Sequence, residues 1–194
     1  MEKDKIGILP HLLIIGGSAG SLEVILSAVP LILYPLKVAV VVVVHRRFTG
    51  DDSLAKLFSY KTMIPVVEIE DKQILKKGTI YIAPVDYHVL FETGGTFALD
   101  VSEKVQYSRP SIDVAFESAS QVYGENLTCI LLSGANADGV EGMRIARQAG
   151  AKLFVQDPKT AAFPTMPESA MSRLQIENSI RPEELAGVIN NLTA

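Results

Sequence analysis

The run Val38 to Val44, six valines and one alanine, constrains the fold more than any other feature of this chain. β-Branched residues in an unbroken apolar row favour a strand over a helix. The lack of polar alternation means that both faces of that strand are covered. Such a strand belongs inside a parallel sheet with helices on either side. It is far too short to cross a bilayer, which takes about 20 apolar residues. The N-terminus, Met1-Glu2-Lys3-Asp4-Lys5, has mixed charge and leads within a few residues to Gly16-Gly17-Ser18, which is no secretory signal. No membrane insertion and a cytoplasmic location are therefore expected.

The flanking sequence fits the same plan. Leu12 to Ile15 reads as a buried strand, and Leu22, Ile25, Leu26 and Val29 then recur at helical spacing before Pro30. Lys37 to Val44 is the second strand, and the polar group Thr49 to Ser53 can cap a helix carrying Leu54, Leu57 and Phe58. Val66 to Ile69 and Thr79 to Ile82 are β-rich. Tyr87 to Phe91 pairs with Thr96 to Val101 through Thr93-Gly94-Gly95 as an antiparallel hairpin. A helix over 111–122, a strand over 128–132, a helix from about Asp138 to Gln148, a strand over 152–155 and a helix opened by Arg181-Pro182 complete the pattern. The expectation is one α/β domain over 1–194: a three-layer, doubly wound, mostly parallel sheet with an antiparallel hairpin, Rossmann-like in its crossovers. At 194 residues and 48% hydrophobic content, the chain can close one sizeable core.

Charge and cysteine usage narrow the function. A net charge of −4, with no basic cluster longer than a pair, argues against a nucleic-acid partner. Cys129 is the single cysteine and sits in the apolar run 129–132, which suits a buried, inert thiol. Nothing in the sequence calls for a metal or another cofactor.

In an open α/β sheet the ligand site lies beyond the carboxyl ends of the strands, so the turns after buried strands carry the chemistry. Three of them hold reactive side chains. Gly16-Gly17-Ser18-Ala19-Gly20 fits G-x-S-x-G between a strand and a helix, a turn that can hold a serine hydroxyl clear of the backbone. Ser18 can equally be a plain helix cap. His45 ends the second strand, where it can accept the Ser18 proton or be an ordinary hydrogen-bonded residue. Asp138 lies near a helix start after the strand over 128–132, where it can orient His45 or cap its own helix. His11 and His88 are weaker bases: the first precedes the sheet on its far side, and the second opens the hairpin. The chain order Ser, His, Asp disfavours the α/β-hydrolase fold, which places its acid before the histidine. A rival reading takes the glycine turn as a nucleotide site, with Arg46 and Arg47 on the 2′-phosphate of NADP. The segment satisfies neither G-x-G-x-x-G nor a Walker-type loop, and Asp138 is left without a role.

Several blocks are more specific. Gly16 to Gly20, the strand ending in His45, Tyr81-Ile82-Ala83-Pro84-Val85-Asp86-Tyr87-His88, Arg109-Pro110-Ser111-Ile112-Asp113, Leu132-Ser133-Gly134 through Asp138-Gly139, and Phe163 to Met166-Pro167 resemble, in order, the catalytic domain of the chemotaxis protein-glutamate methylesterases. The resemblance implies hydrolysis of glutamyl methyl esters on the glutamate-rich cytoplasmic helices of methyl-accepting chemotaxis receptors, with deamidation of receptor glutamines by the same route. It implies Ser18 as nucleophile, His45 as general base, Asp138 as orienting acid, and the backbone amides of Ala19 and Ala135 as oxyanion donors. Arg109 falls at the edge of the site and is expected to bind substrate, as are Arg46 and Arg47.

The chain departs from the family in three places. Ala19 stands where a threonine is usual, Ser21 where a glycine is usual, and Arg46-Arg47 where Met-Pro commonly follows the histidine. Family members commonly carry an N-terminal receiver domain, whereas eleven residues precede the first strand here. Either the chain is an excised domain or it lacks that switch. A silent receptor-binding module that kept the fold and lost turnover is a further alternative, disfavoured by the intact Ser18, His45 and Asp138.

Overall fold

The computed structural model describes residues 9–46, 54–177 and 179–192. Its strands are β1 (Leu12–Gly17), β2 (Ala39–Val44), β3 (Val66–Glu68), β4 (Thr79–Ile82), β5 (His88–Phe91), β6 (Phe97–Asp100), β7 (Leu127–Leu131), β8 (Lys152–Gln156) and β9 (Ser179–Ile180). The helices are α1 (Ser21–Ala28), α2 (Leu54–Ser59), α3 (Ile112–Tyr123), α4 (Val140–Gln148), α5 (Thr165–Leu174) and α6 (Leu185–Asn191). Seven strands form one all-parallel sheet in the order β3-β4-β2-β1-β7-β8-β9. The hairpin β5-β6 is antiparallel and stands apart as its own two-stranded sheet.

The valine run is β2, paired on both edges with β1 and β4, and every residue of it is buried. Alternate residues feed two cores, as period-2 geometry requires. Leu12, Ile14, Val41, Val43, Cys129 and Leu131 pack on one face with Ile112 and Phe116 of α3, Met143 of α4 and Met166 of α5. Leu13, Ile15, Val40, Val42 and Ile130 pack on the other with Ile25 of α1, Phe58 of α2 and Leu185 of α6. Cys129 is fully buried, and burial pushes its thiol well above the ordinary range. Among the described residues no helix is long and apolar enough to cross a membrane.

The chain leaves β1 toward β2 on one side and later returns beside β1 as β7. This is the switch point where the winding reverses and adjacent strand-end loops diverge to open a crevice. The turns carrying Ser18, His45 and Asp138 follow β1, β2 and β7, the three strands that meet there. The expected cap of α2 lies in 49–53, outside the described residues.

Candidate active site

The turn after β1 is fixed by sterics. A Cβ on Gly17 would lie 2.4 Å from the Ser21 Cβ, and Gly20 has φ +81 with a would-be Cβ 2.7 Å from Ala162. Only glycine fits both positions. Ser18 is held through its backbone: its N–H donates to Ser133 O (2.9 Å), and its carbonyl accepts from Ser21 N (3.1 Å) and Ser21 Oγ (2.7 Å). Among the described residues no hydrogen bond joins the Ser18 hydroxyl to His45. The turn after β7 is locked to it, since Ser133 Oγ donates to Ala19 O (2.7 Å) while Gly134 N donates to Phe163 O (3.0 Å). Ala19 and Ala135 are exposed, and among the described residues neither backbone N–H has a protein acceptor.

Asp138 is fully buried and does not cap its own helix; Gly139 is the N-cap of α4. Its carboxylate lies instead at the start of α3, the helix on the same face as α4. Oδ1 accepts from Ser111 Oγ (2.8 Å) and Asp113 N (3.0 Å), and Oδ2 accepts from Ile112 N (2.7 Å) and His45 Nε2 (2.7 Å). Burial works to raise its pKa, but the His45 bond and the two amides outweigh it and hold the group below its ordinary value. The positive end of the α3 dipole acts in the same direction.

The tautomer of His45 follows from this geometry. A carboxylate only accepts, so Nε2 carries the proton and Nδ1 is the free base. Ser108 Oγ lies 3.2 Å from Nδ1 and can donate to it. No local pattern marks Ser108, since its contact with His45 spans 63 residues. Ser111 was visible only as a helix start within the Arg-Pro-Ser block, not as a ligand of Asp138.

Beside His45 opens a cleft of about 570 Å³, lined also by Arg46, Asp86, Lys104, Tyr107 and Arg109. Arg46 pairs with Glu68 Oε2 at 3.0 Å. Arg109 Nη1 donates to the carbonyls of Val101 (2.6 Å) and Ser102 (2.7 Å), and its buried Nε has no partner among the described residues. Arg47 lies outside the described residues. His11 is remote from this edge and bonds Thr128 Oγ1 at 2.9 Å.

A second buried carboxylate, Asp113, accepts from Gly142 N (2.7 Å) and Gln106 Nε2 (3.1 Å). Burial, reinforced by the Asp138 charge, pushes its pKa up to about 6. Between about pH 4 and 6 the folded state therefore holds more protons than the unfolded chain, and stability falls as pH rises through that window. Asp113→Asn keeps an oxygen for Gly142, while the exposed Gln106 amide can turn its own oxygen toward the new NH₂. The variant should lose the decline between pH 4 and 6 and match or exceed wild-type stability at pH 8, by up to ~3 kcal/mol. Chemical denaturation at pH 4, 6 and 8 checks this; an unchanged pH profile would disprove it.

Residues 13–189 match the family model described as CheB methylesterase. The chain is 35% identical over 174 residues to a Leptospira interrogans protein named "Putative protein-glutamate methylesterase/protein-glutamine glutaminase", covering 90% of each. It is 32% identical over 190 residues to a Shewanella protein-glutamate methylesterase/protein-glutamine glutaminase, covering 95% of this chain and 53% of the longer relative. The crystal structure of the Thermotoga maritima CheB methylesterase catalytic domain superposes with a TM-score of 0.89 at 25% identity, over 95% of this chain and 100% of that one. With the model spanning nearly the whole chain and the fold agreeing, the protein belongs to the CheB methylesterase family.

Proposed function

We propose that the protein is a serine hydrolase that demethylates glutamyl methyl esters on chemoreceptor cytoplasmic helices and deamidates glutamines there. The observation that carries this reading is the buried Asp138–His45 pair, set beyond the sheet at the same edge as Ser18. Ser18 Oγ attacks the ester carbonyl and gives its proton to His45 Nδ1, the nitrogen that the Asp138 bond leaves free. Nδ1 has one lone pair, so Ser18 takes the place of Ser108 on it as substrate binds. The oxyanion forms opposite the amides of Ala19 and Ala135, whose hydrogens have no competing protein acceptor among the described residues. The imidazolium, stabilised by the Asp138 charge, protonates the leaving methoxide, and methanol departs. Water then hydrolyses the acyl-enzyme with His45 again as base. A glutamine follows the same path with ammonia leaving. No cofactor enters the scheme.

The cleft beside His45 receives the glutamate-rich helix. Lys104 and Arg46, the latter shared with Glu68, bring cationic groups to the cleft, and Arg109 fixes the wall after β6 through Nη1 and lines the space where substrate docks. Long-range charge of this kind acts on encounter more than on chemistry. Replacing Arg46 and Arg47 together by alanine should therefore raise KM for receptor several-fold and flatten its salt dependence rather than lower kcat. A double variant equal to wild type on receptor at low salt would remove both arginines from recognition. The reading as a whole is tested by methanol release from a methyl-esterified receptor fragment and ammonia release from its glutamine form. Absence of both products from folded protein would overturn it.

A further inference from the structure

His88 is the first residue of β5, 1% exposed, and no step of the scheme above uses it. Its ring joins the two ends of the segment that walls the site. Nδ1 lies 3.1 Å from Ser111 N, and Nε2 lies 3.0 Å from Glu103 O. A backbone N–H only donates and a carbonyl only accepts, so Nδ1 is the bare nitrogen and Nε2 carries the proton. Between these anchors the chain turns back at Val105–Ser108, with Gln106 and Tyr107 both at positive φ, and presents Ser108 to His45. At the far anchor, Ser111 bonds Asp138 with its hydroxyl while giving its backbone N–H to His88. A continuous hydrogen-bonded chain thus runs His88, Ser111, Asp138, His45.

We infer that His88 is a positioning residue for hydrolysis. Its Nδ1 fixes Ser111, and with it the α3 amides that cradle Asp138; its Nε2–H fixes Glu103 and the cleft wall that carries Lys104. The inference rests on the methylesterase reading. The two nitrogens serve different halves of the site, so losing each has a different kinetic signature.

Asparagine can set its oxygen near the Nδ1 position and accept from Ser111, while losing the Glu103 bond. Glutamine can set its NH₂ near the Nε2 position and keep the Glu103 bond, while losing Ser111. His88→Asn should keep kcat within about tenfold of wild type and raise KM for receptor. His88→Gln should hold KM and lose about 10²-fold in kcat, the scale set by misplacing a catalytic group by roughly an ångström. In ¹⁵N-labelled wild type, His88 should be the Nε2–H tautomer, and His88→Gln should shift the His45 Nε2–H resonance more than His88→Asn does. Equal kcat losses that follow thermal midpoint alone, or an Nδ1–H tautomer in wild type, would overturn the inference. The tautomer measurement decides even if neither variant folds. Wild-type activity that survives Ser18→Ala would count against the hydrolase scheme instead, and the resonance measurements on His88 would stand apart from it.

Discussion

Ser18→Ala should give a folded protein whose methanol release is at least about 10⁴-fold below wild type, approaching the roughly 10⁶-fold seen when a serine protease loses its nucleophile. Folding should survive because the Ser18 turn is held by backbone bonds to Ser133 and Ser21 and by the glycines around it, none of which uses the hydroxyl. Removing one half-exposed oxygen leaves the thermal midpoint within a degree or two, as is usual for substitutions away from buried networks. The residual rate should match that expected from the Ala19 and Ala135 amides and binding alone. Measuring methanol from methylated receptor beside a thermal melt separates the outcomes. A folded variant retaining more than a few per cent of wild-type turnover would remove Ser18 as nucleophile.

The elements that position Ser18 were legible because each has a local signature. Period and composition identify β1 and β2, and the glycines that the steric contacts require stand openly in the turn between β1 and α1. Boundaries moved by a residue or two, as with the strand expected over 128–132 and found as Leu127–Leu131. Two elements escaped. β9 is two residues long and is a strand only because β8 lies beside it. In α5, Met166, Ala170 and Leu174 make a narrow apolar stripe, and Pro167 looks like a breaker although it sits in the first turn, where proline is tolerated. The hairpin was expected and found, but its separation from the main sheet follows from packing on α3, which no local pattern encodes.

The site divides in the same way. Ser18, His45 and Asp138 were visible as strand-end residues, and the cleft residues Arg46 and Arg109 were visible as charges nearby. The ligands of Asp138 were not, because two of them are main-chain amides, and the shortest sequence separation between Asp138 and its α3 partners is 25 residues. A backbone donor has no residue type to read. His88 was set aside for a related reason: its value lies in joining Glu103 to Ser111, a contact made by tertiary packing.

Asp138→Asn should damage chemistry and stability together, and the structure says why. Four donors converge on this carboxylate, two on each oxygen: Ser111 Oγ and Asp113 N on one, Ile112 N and His45 Nε2 on the other. An asparagine turns its NH₂ toward one of these pairs whichever way it is rotated, leaving buried donors facing a donor. Each such unsatisfied group costs about 1–3 kcal/mol, so a loss of roughly 2–5 kcal/mol is expected, or about 5–15 °C in thermal midpoint for a chain of this size. If the NH₂ faces His45, Nε2 can no longer donate, the proton moves to Nδ1, and the base that Ser18 needs is gone. If it faces α3 instead, the tautomer survives but the imidazolium loses its counter-charge. Either way turnover should fall by about 10⁴-fold, as for the corresponding change in a serine protease. Asp138 is fully buried, so water offers no compensation. The acid response supplies an independent check. The folded-state pKa of Asp138 lies below its ordinary value, so the group contributes stability above about pH 4 and loses it as pH falls through the folded pKa; the variant should lack that contribution. Turnover per folded molecule is the deciding quantity. If Asp138→Asn lowers the midpoint but leaves that quantity near wild type, Asp138 is a cap for α3 and His45 works without it.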